Sequence, residues 1–150
     1  MNEVNRKAFL DMIADSEGTI NLGDNGYNVI VGGSLFDDYS DHPRKLVKLN
    51  EKLKSTAAGR YQILARYYDA YKGQLNLPDF SPSSQDKIAI QMIKECRVLD
   101  AIDNGKIELA ISKCSSRWAS FPGAGYGQHE NRLSKLITAY LKYGGKLEVT

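Results

Sequence analysis

The chain has 150 residues, a formal net charge of +2, 42% hydrophobic residues and 25% charged residues. This is the size and balance of one globular domain over residues 1–150, with enough chain to bury a core unaided. Near-neutral charge gives no case for nucleic acid, and no apolar run is long enough to span a bilayer.

The first helix is predicted over residues 5–17. Phe9, Leu10, Ile13 and Ala14 form its apolar stripe. Lys7, Asp11 and Asp15 recur at spacings of four and read as its solvated side. Gly18 is a suitable stop. Residues 21–26 are rich in Gly, Asn and Asp and read as loop. Residues 27–31 read as a strand, Gly32-Gly33 as a turn, and residues 34–36 as a short return strand.

From residue 59 onward the pattern is mostly helical. Over residues 59–71, Tyr61, Leu64, Ala65 and Tyr68 share a face. Ser81-Pro82 opens another helix, lined by Ile88, Ala89, Met92, Ile93 and Cys96. A short helical turn over residues 98–104 ends at Gly105. Ile107, Ala110, Ile111 and Cys114 form the next stripe. Residues 120–128 are a Pro/Gly loop, and the last helix runs over residues 130–143. The sum is an α+β domain, mainly helical, with one small antiparallel hairpin.

Glu17 stands out chemically. Phe9, Ile13 and Glu17 succeed one another at steps of four, so a carboxyl lies on a buried stripe. Desolvation and the negative end of the helix dipole both favour its neutral form, as a general acid near neutral pH requires. The competing reading is a surface residue at a helix end. A second cluster runs from Ser55 and Thr56 through Gly59 and Arg60 to Tyr61 and Gln62. It offers close backbone approach beside hydrogen-bonding and stacking groups, or else an ordinary helix start capped by Thr56. In the loop containing Tyr126 and Gln128, an aromatic sits among glycines, suited to the apolar face of a sugar or to folding back on the core. Arg44, Lys45, Lys48, Lys52 and Lys54 form a basic stretch, read either as attraction to an anionic polymer or as a solvated face.

The cysteines, Cys96 and Cys114, and the histidines, His42 and His129, lack zinc-ligand spacing, so no metal and no cofactor is expected. Both cysteines lie on apolar stripes and read as packing residues rather than as nucleophiles paired with a histidine base.

Several runs resemble the lambda-type family of phage endolysins, which are lytic transglycosylases. They are Ser16-Glu17-Gly18-Thr19, Val29-Ile30-Val31-Gly32-Gly33, Asp38-Tyr39-Ser40-Asp41-His42-Pro43, Ala58-Gly59-Arg60-Tyr61-Gln62, Trp118-Ala119-Ser120 and Pro122-Gly123-Ala124-Gly125-Tyr126-Gly127-Gln128. The resemblance implies a lysozyme-like fold with a small sheet beside a substrate cleft. It implies cleavage of the β-1,4 bond between N-acetylmuramic acid and N-acetylglucosamine, with 1,6-anhydro ends and Glu17 as acid and then base. Ser55, Thr56, Tyr61, Gln62, Tyr126 and Gln128 would be substrate contacts. Asn28 departs from the family pattern, which has an acid there.

The alternatives are a hydrolytic muramidase, with Asp37 or Asp38 as second carboxylate, and a non-catalytic wall-binding module. The polar start, Met1 to Arg6, lacks an apolar signal core. The expected course is a monomer held in the host cytoplasm until a holin releases it to glycan strands in the periplasm.

Overall fold

The computed structural model describes residues 2–149. The elements in chain order are α1 (Glu3–Glu17), β1 (Val47–Lys48), β2 (Lys54–Ser55), α2 (Ala65–Leu75), α3 (Pro82–Glu95), α4 (Leu99–Asp103), α5 (Ile107–Cys114) and α6 (Leu133–Lys142). They fall into two compact units. One holds the chain through Glu17 and from Ala89 onward; the other holds Gly18–Ile88, so the division falls within α3.

The first unit is helical. Asn2 caps α1, its side-chain oxygen accepting from the Asn5 amide at 3.0 Å. Ala8, Phe9, Met12, Ile13 and Ala14 are fully buried, and α1 packs against α4 and α6. Leu10 keeps intermediate exposure. Asp11 is buried rather than solvated, because Lys7 Nζ reaches over it at 2.8 Å. Such cover reduces the desolvation a carboxylate suffers alone. Asn5 is buried too, and its amide donates to Ile102 O at 2.9 Å. Trp118 and Phe121 stack at 5.6 Å between ring centroids. The last helix starts at Leu133, three residues later than its pattern predicts, since Glu130 and Asn131 spend their side chains on other partners.

The second unit carries the sheet, but not where the sequence pattern puts it. β1 and β2 pair antiparallel, Val47 with Ser55 and Lys48 with Lys54, within the basic stretch. Lys45, Lys48, Lys52 and Lys54 are exposed. The predicted hairpin over residues 27–36 does turn at Gly32-Gly33, with Ile30 N bonded to Ser34 O at 2.7 Å and Phe36 N to Asn28 O at 2.9 Å. It stays a turn with single paired positions. The outer edge of the first arm pairs instead with residues 57–59, Val31 N to Ala57 O at 3.0 Å and Gly59 N to Val29 O at 2.8 Å.

The helix predicted over residues 59–71 begins only at Ala65. Gly59 (φ +84°) and Gln62 (φ +53°) are left-handed, which breaks a right-handed helix whatever the apolar spacing. Residues 58–63 form a tight loop, closed by Ala58 and Ile63 at 3.1 and 2.8 Å. A Cβ at Gly59 would meet the Gln85 side-chain oxygen and lie 3.0 Å from Phe80 Cζ. Thr56 still caps α2, but from nine residues away, its Oγ1 accepting from the Ala65 amide at 3.0 Å.

Aromatic packing closes this unit. His42 lies 4.9 Å from the Phe80 ring and 5.8 Å from the Tyr68 ring. It is buried, with Nε2 bonded to Ile63 O at 2.8 Å and Nδ1 accepting from the Arg44 amide at 2.9 Å. Those bonds fix the tautomer of the neutral ring, and burial lowers its pKa against the raising effect of the bond to Ile63. Both nitrogens are engaged, which leaves His42 no lone pair for general-base work.

Candidate active site

Glu17 is the last residue of α1. The residue keeps intermediate exposure, yet its carboxyl is crowded by protein. Burial pushes its pKa from 4.5 up to about 7. Two opposing bonds come from Ser120, whose hydroxyl and backbone N–H both favour the ionised form and pull the value down. The carboxyl is therefore poised near neutrality by desolvation, with Ser120 setting how far the shift goes.

Ser120 is itself held in place. Its hydroxyl proton goes to Glu17, so it accepts from the Ser16 hydroxyl at 2.7 Å. Asn131 Nδ2 donates to Ser16 O at 2.9 Å and to Ser16 Oγ at 3.2 Å. The Asn131 amide bonds Ser120 O at 2.7 Å. The chain of donors therefore runs from Asn131 through Ser16 and Ser120 to the carboxyl. Successive bonds in one direction polarise one another and hold a side chain in one orientation. His129 Nε2 and Lys135 Nζ each approach Asn131 Oδ1 at 3.2 Å, fixing that amide in turn.

The loop containing Tyr126 lies in the same unit. Glu130 spans its base, one oxygen accepting from Gly123 N and the other from Gly125 N, both at 2.9 Å. These bonds hold the Glu130 carboxyl below the usual carboxylate range. Tyr126 is 51% exposed, and its hydroxyl donates to Ser116 O. Anchored at its tip, the ring presents a fixed face to solvent. Gln128 is exposed.

The second cluster is built differently. Ser55 Oγ accepts from Ala57 N at 3.1 Å, and Thr56 caps α2. Gln62 Nε2 donates to Gly59 O at 2.9 Å. Tyr61 is only 1% exposed, and its hydroxyl donates to Asp86 Oδ1 at 2.6 Å, an oxygen that also accepts from Tyr27 at 2.9 Å. Tyr61 thus has no open face. Arg60 is buried between the Tyr27 and Tyr61 rings, with its guanidinium carbon 5.4 and 5.6 Å from their centroids, and Nε donates to Asn25 O at 3.0 Å. These side chains use their polar atoms to fix the loop they belong to.

The acids after the hairpin have local roles. Asp38 is exposed and accepts from Ser40 N at 2.9 Å, which lowers its pKa. Asp41 and Asp69 grip the Arg44 guanidinium, at 2.9 Å for the Asp41 contact, and both carboxyls are held down by it. Asp37 is exposed. Among the described residues, no group of three or more His, Cys, Asp or Glu is arranged to hold a metal ion, and no helix is long and apolar enough to cross a membrane.

The residue patterns single out Glu17, but not the Ser16, Ser120 and Asn131 groups that hold it, nor the Glu130 clamp. The signal for them is thin: Ser120 stands in one of the runs that carry the family likeness, and Asn131 is one polar residue among several.

The chain is similar to known proteins in sequence and in fold. An endolysin family model matches residues 7–147. The endolysin of Escherichia phage lambda is 60% identical over 151 residues, covering 97% of this chain and 96% of that one. The endolysin of Escherichia phage P2 is 52% identical over 154 residues, covering 94% and 93%. A solved structure of bacteriophage lambda lysozyme complexed with a chitohexasaccharide overlays with a TM-score of 0.96 at 58% identity, covering 99% of each chain. A second lambda lysozyme structure gives 0.91 at 57%, again over 99% of each. The fold is lysozyme-like, with helices and a small antiparallel sheet. On sequence and structure alike, the chain belongs to the endolysin family.

Proposed function

We propose that this endolysin cleaves peptidoglycan glycan strands as a lytic transglycosylase, with Glu17 as its single acid and base. The observation that carries this reading is a carboxyl with a pKa of about 7, desolvated and oriented by Ser120. Such a group is half protonated at neutral pH and serves proton transfer in both directions.

Glu17 first gives its proton to the oxygen linking N-acetylmuramic acid to N-acetylglucosamine. The bond from that oxygen to the anomeric carbon breaks, leaving positive charge on the muramic ring. The ionised Glu17 then takes the proton from the muramic 6-hydroxyl as that oxygen closes on the anomeric carbon. A 1,6-anhydro end results, and Glu17 is protonated again. The nucleophile is intramolecular, so no water needs activating and proximity favours closure.

Tyr126 and Gln128 suit sugar contact, Tyr126 as a stacking face. For Ser55, Thr56, Tyr61 and Gln62 we assign positioning of their loop, since their polar atoms are bonded within it. The chain would work as one catalytic domain, monomeric, held in the host cytoplasm until a holin admits it to the wall.

The second reading is a hydrolytic muramidase, favoured by the name lysozyme on the solved relatives. It needs a second carboxylate to activate water. Asp37 and Asp38, the candidates for that role, are both exposed, and Asp38 accepts from Ser40 N; neither has the desolvated setting of Glu17, which supports the one-acid scheme.

The test is digestion of purified sacculi. Soluble muropeptides are expected; binding without release would overturn the enzymatic reading. Ser120 gives a finer check. Activity should fall as pH rises through about 7, where the Glu17 proton is lost. Ser120→Ala removes the hydroxyl bond that lowers the Glu17 pKa, so the falling limb of the pH–rate profile should move to higher pH. An unmoved limb would show that Ser120 does not tune this carboxyl.

A further inference from the structure

The hydroxyls behind Glu17 can be ordered in two senses, with opposite effects on its proton. Ser16 and Ser120 each carry one hydroxyl proton, and their oxygens lie 2.7 Å apart, so either can donate to the other. With Ser16 as donor, the Ser120 proton is left for Glu17, and Ser120 favours the carboxylate. With Ser120 as donor to Ser16, a lone pair faces Glu17, and Ser120 favours the protonated acid.

Asn131 decides between the two. It is buried, and its side chain has an obligate partner at each end. Ser16 O, a carbonyl that only accepts, stands 2.9 Å from Nδ2. Lys135 Nζ, an ammonium that only donates, stands 3.2 Å from Oδ1. The amide therefore has one orientation. In it Nδ2 also donates to Ser16 Oγ at 3.2 Å, which turns the Ser16 proton to Ser120 and the Ser120 proton to Glu17. The Asn131 backbone N–H holds Ser120 O at 2.7 Å, so one residue sets both the place of Ser120 and the sense of its hydroxyl.

The charged groups on the surrounding elements are engaged elsewhere. On α1, Asp15 accepts from Tyr143 at 3.0 Å. In the loop before α6, Glu130 accepts from Gly123 and Gly125, and His129 meets Asn131 Oδ1. On α4, Asp103 pairs with Arg6 at 2.8 Å. On α6, Lys135 ends on Asn131, and Lys142 lies over the Tyr143 ring.

We propose that Asn131 is a positioning residue for Glu17, its amide fixing Ser120 as a donor and so holding Glu17 toward the ionised form. This rests on Glu17 as the acid and base of the proposed cleavage. Burial keeps the proton on Glu17, and the Asn131 chain works against it through Ser120, making Glu17 the stronger acid in the first step.

The test begins with Asn131→Asp, which keeps the shape and replaces the donor by an acceptor. The Ser16 proton should then turn to position 131 and the Ser120 proton to Ser16, leaving Glu17 a lone pair. The falling limb of the pH–rate profile on sacculi, and the Glu17 pKa read from its ¹³C carboxyl shift, should both rise by about one unit, the worth of one hydrogen bond to a carboxylate. Asn131→Ala, which neither donates nor accepts, should raise both by less. An added negative charge also raises a neighbouring carboxyl through space. Asn131→Asp is therefore repeated in a Ser16→Ala background, where no hydroxyl links position 131 to Ser120, and there most of the rise should be lost. Equal rises in the two backgrounds, no rise with either variant, or a fall would overturn the proposal. The carboxyl titration needs no turnover. A Glu17 that shifts as stated in a protein that cuts no glycan supports this network and removes the reaction; full cutting with an unmoved carboxyl removes the network.

Discussion

Glu17→Gln should abolish release of soluble wall fragments, by roughly a thousandfold or more, while leaving the protein folded. The amide keeps the size of the carboxyl and still accepts from Ser120, so the packing at the end of α1 is retained. What it loses is the proton that leaves and returns. Stability gives an independent signature of the same substitution. In the folded state the Glu17 pKa is raised from 4.5 to about 7. The native protein therefore holds this proton more tightly than the unfolded chain does. Its contribution is fully present below pH 4.5 and is lost as pH rises through about 7. The displacement corresponds to at most about 3 kcal/mol, and partial exposure screens it to about 1–3 kcal/mol. Above pH 7 Glu17→Gln should be the more stable protein by that amount, and below pH 4.5 the difference should vanish. Denaturant titrations at pH 4 and pH 8 measure it. Equal stability offsets at the two pH values would show that the carboxyl is not desolvated.

The second large effect is expected at Gln85, a residue with no acid–base chemistry of its own. This side chain is fully buried. Its oxygen accepts from the Arg60 amide at 2.9 Å, and its nitrogen donates to Phe80 O at 2.9 Å and Tyr27 O at 3.0 Å. It thereby joins α3 to the Gly59–Gln62 loop and to the segment before the hairpin. Gln85→Leu keeps most of the volume and leaves three backbone groups, two buried and one partly buried, without that partner. Each such loss costs about 1–3 kcal/mol, so the sum is at least about 3 kcal/mol, and the melting temperature should fall by roughly 6 °C or more. Hydrogen exchange at the Arg60 amide should accelerate with it. A variant within about 1 kcal/mol of wild type would show that the loop is held by aromatic packing instead.

These two residues mark what was legible in the sequence. From residues 9–17 alone the spacing puts Glu17 on the stripe of Phe9 and Ile13, but the surface reading stays open, because α1 buries Asp11 and Met12 as well and its phase is not fixed by the apolar spacing. The clamp on it cannot be read there, because Ser120 and Asn131 reach residues 16 and 17 from more than 100 positions away. The start of α2 is misread for a local reason. Tyr61 and Leu64 keep helical spacing with Tyr68, but the left-handed backbone at Gly59 and Gln62 takes Tyr61 into a tight loop instead. The sheet is misplaced because the arm at residues 28–31 divides its backbone bonds between its own return arm and residues 57–59, and neither pairing extends into a strand. β1 and β2, only two residues each and lysine-bearing, carry no alternation to read. The family likeness reaches past these errors because it rests on ordered runs of residues rather than on periodicity.

In the one-acid scheme a single carboxyl completes the reaction without water. Digesting sacculi in ¹⁸O-labelled water and weighing the released muropeptides tests it directly. The scheme predicts muramic ends that are one water lighter than reducing ends and carry no label, made by wild-type protein and absent with Glu17→Gln. Reducing ends labelled with ¹⁸O would contradict it and make the enzyme a hydrolase with a second catalytic group.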